Sequence, residues 1–180
     1  MSSIYLAPWR IDVEWRSGVR RLLSSSALAR AMAAALRAAG APSPASIGLI
    51  LSDDAELAGL NATHMGKDGP TDVLSFPLLP PTAFPPHPGR PPTPRSTNGH
   101  VAFALPPGSR QHLGDVIVSV ERAIEQAEQG RGGQTSDVRW GAGDELRLLV
   151  THGTLHVCGW DHAEPAEEAA MRALEQRLLG

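Results

Sequence analysis

Residues 152–162 constrain the fold of this chain more than any other segment. They read His152-Gly153-Thr154-Leu155-His156-Val157-Cys158-Gly159-Trp160-Asp161-His162. Residues four apart on an α-helix lie on one face about a turn apart, so His152 and His156 can offer their rings to a common point. Gly159 lets the chain leave the helix and turn back, since glycine adopts the left-handed backbone conformation that ends helices. His162 can then approach the same point from the other side. Three neutral imidazoles around one cation leave a coordination position open, which is the arrangement of a catalytic zinc site rather than a closed structural one. The expectation is one Zn2+ per chain, held by His152, His156 and His162.

The spacing H-x-x-x-H-x-x-G-x-x-H equals that of the metzincin proteases, where a glutamate after the first histidine is the general base. Here that position is Gly153, which cannot accept a proton. The ligands are retained without the protease's base, so the chemistry expected is hydrolysis of another kind. Cys158 follows His156 by two residues and on a helix points about 160° away from it. A packed thiol is expected there, not a fourth ligand. As the single cysteine, it also leaves no internal disulfide to form, and no disulfide-linked partner is expected.

The rest of the chain reads as an α+β domain, a small mixed four-stranded sheet packed with about five helices, one of which carries the histidines. The strands are expected at 4–13 (an edge strand interrupted by Pro8), 46–51, 72–76 and 115–120. Ser24-Ser25-Ser26 can cap a helix at 27–39 whose inner face is Leu28, Met32, Leu36 and Ala39; Gly40 and Pro42 stop it. Further helices are expected at 55–63, at 119–129 with Ile124 and Ala127 inward, and from 144 through the histidines. A last one at 165–178 is docked by Met171, Leu174 and Leu178. Residues 77–111 hold eleven of the sixteen prolines. Proline cannot donate to a ladder or continue a helix. We read about 78–110 as an exposed, mobile insertion, with 101–105 as a short extended piece, and 130–134 as a flexible connection. A Pro-rich ligand for a partner domain is the alternative reading of the insertion. His87, His100 and His112 fall in or beside it and are not expected to be ligands. The whole of 1–180 is expected to be a single metallohydrolase domain.

The histidine segment resembles H-G-x-L-H-L-x-G-y-D-H, the signature of the YbeY-type endoribonucleases, which are bacterial rRNA maturation factors. Val157 replaces a leucine and Trp160 the usual tyrosine. Leu60-Asn61, Gly66-Lys67-Asp68 and 70–77 (Pro-Thr-Asp-Val-Leu-Ser-Phe-Pro) are similar to the family's L-N…G-K-D…P-T-D-V-L-S-F-P block. Leu113-Gly114-Asp115-Val116 is similar to its L-G-D-I strand start. The resemblance covers about residue 45 to the end, apart from the insertion, which is longer than the family's loop. It implies about four strands with five helices and zinc-dependent cleavage of single-stranded RNA. It also implies a role in 16S rRNA 3′-end maturation and ribosome quality control, with 16S rRNA or the small ribosomal subunit as partner. One departure matters: Met65 stands where the family usually has an arginine before Gly-Lys-Asp, and a thioether cannot stabilise phosphoryl charge as a guanidinium does.

The formal net charge of −3 does not advertise a nucleic-acid binder, although an acidic protein can hold a local basic patch. There is no basic-then-apolar leader pattern and no apolar run of about 18 residues, so a cytoplasmic protein without a membrane span is expected. The catalytic candidates are Asp161 and Lys67. Asp161 can serve as general base or hold a histidine ring, as metal-bound histidines usually require. Lys67 is the only lysine beside fifteen arginines. It is read equally as a functional ammonium or a solvated loop residue. Asp72 and Asp115 are expected to be structural; Thr71 and Ser75 can line the cleft. A cation at the triad would lower the pKa of a bound water towards about 7 and polarise a phosphoryl oxygen. The rival readings are a non-catalytic zinc-containing ribosome-associated factor and a metallohydrolase of another substrate class.

Overall fold

The computed structural model describes residues 1–89, 109–130 and 140–180. Pro8 decides how the chain begins. Ser2–Leu6 (β1) and Trp9–Trp15 (β2) pair antiparallel, with Leu6 opposite Trp9 across Ala7-Pro8. Proline has no N–H for a ladder, so it occupies the turn. The stretch expected as one interrupted strand is therefore a hairpin, and the sheet has five strands rather than four, in the order β1-β2-β3-β5-β4.

Ser24 caps helix α1, Ser25–Ala38, its hydroxyl accepting from the Ala27 N–H at 3.2 Å. Strand β3, Ala45–Ser52, runs parallel to β2, and Asp53 caps helix α2, Asp54–Met65. Strand β4, Val73–Pro77, lies antiparallel to β5, Gln111–Ser119, which is in turn parallel to β3. Helices α3, Val120–Glu128, α4, Ala142–Val157, and α5, Pro165–Leu179, complete the described chain. The period of two in β3 and β5 sorts their side chains between two faces. Ile47, Leu49, Leu51, Val116 and Val118 join the buried residues of α1 and α4, whereas Ile50 and Ile117 meet Leu57 of α2 and Leu74 of β4. No helix among the described residues is long and apolar enough to cross a membrane.

The described part of the proline-rich stretch expected as an exposed insertion at 78–110 is mostly exposed. The exception is Phe84, which is 5% exposed and belongs to the main core. An aromatic ring in an otherwise proline-dominated run provides enough apolar surface to dock it. The expected extended piece at 101–105, His100, and all of the 130–134 connection except Gly130 lie outside the described residues.

Helix α4 approaches the sheet closely at Gly153. A Cβ there would stand 2.6 Å from Val116 Cγ1 and 2.9 Å from Val73 Cγ2. The Ser75 hydroxyl donates to the Gly153 carbonyl at 3.0 Å. Position 153 thus faces β4 and β5, and glycine is what lets the helix backbone reach them. Gly153→Ala is expected to lower stability by about 1–3 kcal/mol, the usual range for overpacking a filled core. Urea unfolding of the purified protein measures it, and an unchanged midpoint would contradict the close approach.

Candidate metal centre and its cleft

Helix α4 is shaped at both ends to present its histidines. At its start Asp144 accepts the Gly141 N–H at 3.1 Å, and the Trp140 indole donates to Glu145. Two carboxylates in the first turn suit the positive end of the helix dipole. At its end the Trp160 N–H bonds Leu155 O at 3.1 Å and the Gly159 N–H bonds His156 O at 2.9 Å, with Gly159 at φ 80°. These are the two reversed bonds of a Schellman ending, which only a left-handed residue allows without strain. The reversal carries His162 back over the helix.

The three rings converge. Their centroids lie 4.5 Å apart for His152 and His156, 5.0 Å for His156 and His162, and 5.7 Å for His152 and His162. One nitrogen from each lies within 4.8 Å of the others, and the Nε2 atoms of His152 and His156 are 3.0 Å apart. Ligand nitrogens around a tetrahedral zinc stand about 3.3 Å apart, from Zn–N bonds of about 2.0–2.1 Å. The donor set fits such an ion in spacing. Burial, with the neighbouring His152 and His162, holds the His156 pKa down at about 4, so this ring keeps its lone pair at neutral pH. The three histidines are close enough to bind a metal.

Glu175 of α5, which no motif in the sequence points to, stands against the triad. The His152 Nδ1–H donates to Glu175 Oε1 at 2.7 Å, which turns Nε2 and its lone pair toward the other two rings. Its carboxylate is buried with residue exposure of 9%. The available signal was a charged residue four positions after Met171, on the face that docks the helix. Asp161, expected as base or ring holder, is exposed, and its Oδ1 accepts the His162 backbone N–H at 2.7 Å. That contact braces the turn carrying the third histidine.

The remaining sequence candidates fall into place individually. Cys158 is fully buried, and burial pushes its thiol up to about 12, consistent with inert packing. Asp72 accepts from the Val73 N–H and from Gln126, Thr71 donates to Asp72, and Ser75 donates to Gly153, so all three are structural here. His112 lies 3.1 Å from both Ser46 and Asp115, away from the triad. Met65, the last residue of α2, and Lys67, in the loop that follows, are both exposed. Asn61 shapes that loop, donating to Gly69 O at 2.8 Å while its own carbonyl accepts from the Lys67 N–H at 3.4 Å.

A cleft of about 240 Å3 opens beside His152 and His162, walled otherwise by Glu168, Met171, Arg172 and Glu175. Among these residues Arg172 carries the one permanent positive charge. It is 72% exposed and pairs with Glu168 one turn away at 2.7 Å. Such exposed pairs contribute little and exchange readily for another anion.

Replacing Glu175 with Gln keeps the shape but weakens the hold on the His152 ring. The expected result is a 10–100-fold loss of affinity for a divalent metal, the usual effect of removing a partner behind a ligand histidine. Competition against a fluorescent chelator measures it, and wild-type affinity would remove Glu175 from the metal centre.

The profile described as Endoribonuclease YbeY matches residues 13–180. A protein named Endoribonuclease YbeY from Roseiflexus castenholzii is 33% identical over 172 residues, covering 94% of this chain and 91% of its own. Its namesake in Chloroflexus aurantiacus is 33% identical over 174 residues, covering 95% and 94%. One from a Synechococcus strain is 41% identical over 136 residues, covering 75% and 64%. The solution structure of a Thermotoga maritima protein shares the fold with a TM-score of 0.52 at 21% identity, over 94% of this chain and 86% of that one. With nearly the whole length matched, a span that contains the three histidines, this chain belongs to the YbeY family of endoribonucleases.

Proposed function

We propose that residues 1–180 form one zinc-dependent, single-strand-specific endoribonuclease domain that matures the 3′ end of 16S rRNA and takes part in ribosome quality control in the cytoplasm. The observation that carries this reading is the convergence of His152, His156 and His162 at the edge of an open cleft, in a chain of this family. The three imidazoles would hold one Zn2+, with Glu175 fixing the His152 ring. A cation there supplies an activated water near neutral pH and polarises a phosphoryl oxygen. A flexible single strand, whose phosphates are free to turn inward, would be the substrate for such a cleft. Arg172 would meet an adjacent phosphate, exchanging its exposed pair with Glu168 for a phosphate oxygen. It supplies a guanidinium on the cleft wall where Met65 supplies none. Asp161 is the carboxylate we place nearest the third ligand as a candidate base, and Lys67 is a candidate phosphate contact from the loop after α2.

A non-catalytic ribosome-associated factor is the second reading. Met65, the net charge of −3 and the two glutamates on the cleft wall favour it.

Cleavage of a fluorescent single-stranded RNA by freshly purified, zinc-loaded protein separates the two. Wild type should cut it and leave a duplex intact, and His156→Ala should lose at least about 100-fold of that activity, in line with loss of a metal-held nucleophile. Intact RNA, together with co-sedimentation on small ribosomal subunits, would favour the second reading. Arg172→Ala is expected to raise KM several-fold with little change in kcat. Met65→Arg should raise kcat/KM, and an unchanged value would leave the charge to Arg172.

A further inference from the structure

We propose that His87, on the proline-rich strap, is a positioning residue for the third histidine of the metal centre. The inference rests on the metal reading above and concerns a residue that this reading does not use. His87 and Glu167 have side chains only 5% and 7% exposed. The His87 imidazole lies flat on the Trp160 indole, with centroids 4.0 Å apart and planes 9° from parallel. Its Nε2 stands 3.3 Å from Gly159 O and 3.4 Å from Glu167 Oε1, and its Nδ1 is 3.3 Å from Pro88 O. The ring therefore grips two consecutive residues of the reversal, the side chain of Trp160 and the carbonyl of Gly159. His162 follows Trp160 by two residues.

The strap is seated on both sides of this grip. Phe84 is buried in the main core, and Pro85 Cγ lies 2.8 Å from where a Gly40 Cβ would be. Gly89 lies against the first turn of α5, where a Cβ would come within 2.6 Å of the Ala166 carbonyl carbon and the Glu167 nitrogen. Anchored at 84–85 and at 89, the backbone has little freedom to move His87 off the reversal. Helix α4 orients His152 and His156 through its own geometry, and Glu175 fixes the His152 ring. His162 stands on an exposed turn beyond the helix, where Asp161 braces only its backbone N–H. The turn needs a hold from outside, and the strap provides it through His87. Glu167 links the same contact to α5, the helix that carries Glu175.

The test compares full-length wild type, His87→Ala, His87→Gln and Leu28→Ala, the last a core truncation in α1 distant in sequence from the strap and the histidines. Zinc affinity is read by chelator competition, and the Co2+-substituted visible spectrum reports ligand geometry. Urea unfolding of the metal-free proteins gives the stability of each. His87→Ala should bind zinc about tenfold more weakly or worse, comparable to losing a partner behind a ligand. Its cobalt bands should weaken or shift as His162 drifts. His87→Gln keeps a donor for Gly159 O but loses the stack, and should fall between wild type and His87→Ala. Leu28→Ala should lose stability and retain both metal readouts. Gly89→Ala, which pushes the strap off α5 without altering His87, should reproduce the His87→Ala spectrum and stands in for it if His87→Ala does not fold. Wild-type affinity and spectrum in a folded His87→Ala or Gly89→Ala protein would overturn the proposal, as would equal metal loss in Leu28→Ala. Wild-type protein that takes up no zinc would instead sink the metal reading itself.

Discussion

At Gly153 the backbone of α4 rests directly against β4 and β5, and the rest of the centre depends on that contact. Val116 and Val73 occupy the space a side chain would need, and Ser75 ties the carbonyl of residue 153 to the sheet. Because 152 and 156 flank 153 on the helix, the depth and rotation set at this point also set where their rings emerge. Close-packed interiors do not deform continuously, so a helix seated this tightly on a sheet has one position rather than many. The glycine that withholds a protease's base from this chain is thus also the residue that seats the helix.

From that seat, each histidine is held by a different means. His152 is held through its ring, by a carboxylate on a helix that joins the centre only after the chain has reversed. His156 is kept neutral by its burial and by the two rings beside it. His162 depends on the Schellman ending of α4 and on contacts around the turn that follows. The cleft that results is mixed in charge, with Glu168, Arg172 and Glu175 along the α5 wall. A surface of this kind would recruit a polyanion through a few placed groups rather than through a broad positive field.

The sequence made the elements largely legible wherever a local rule governed them. Ser24 marks a helix start, Gly40 and Gly159 mark helix ends, and the β-branched runs in β3 and β5 mark the buried strands. The misreadings came where two segments had to meet. Pro8 was read as interrupting one strand, because only the pairing of Leu6 with Trp9 reveals a hairpin. Within the mostly exposed proline-rich run, nothing local announces that Phe84 and His87 find cover against the core and Trp160.

What the sequence by itself determined is the set of ligand-bearing residues and the local geometry that lets them meet, since the spacing of four on a helix and a glycine at the reversal are properties of contiguous chain. It also carried the family blocks by which the chemistry was read. Tertiary structure alone decided what holds those residues in place. Glu175 is 23 residues from His152, Ser75 is 78 from Gly153, and His87 is 72 from Gly159, each on a different element from its partner. Contacts at such separations follow from which faces pack together, and no periodicity along the chain encodes that.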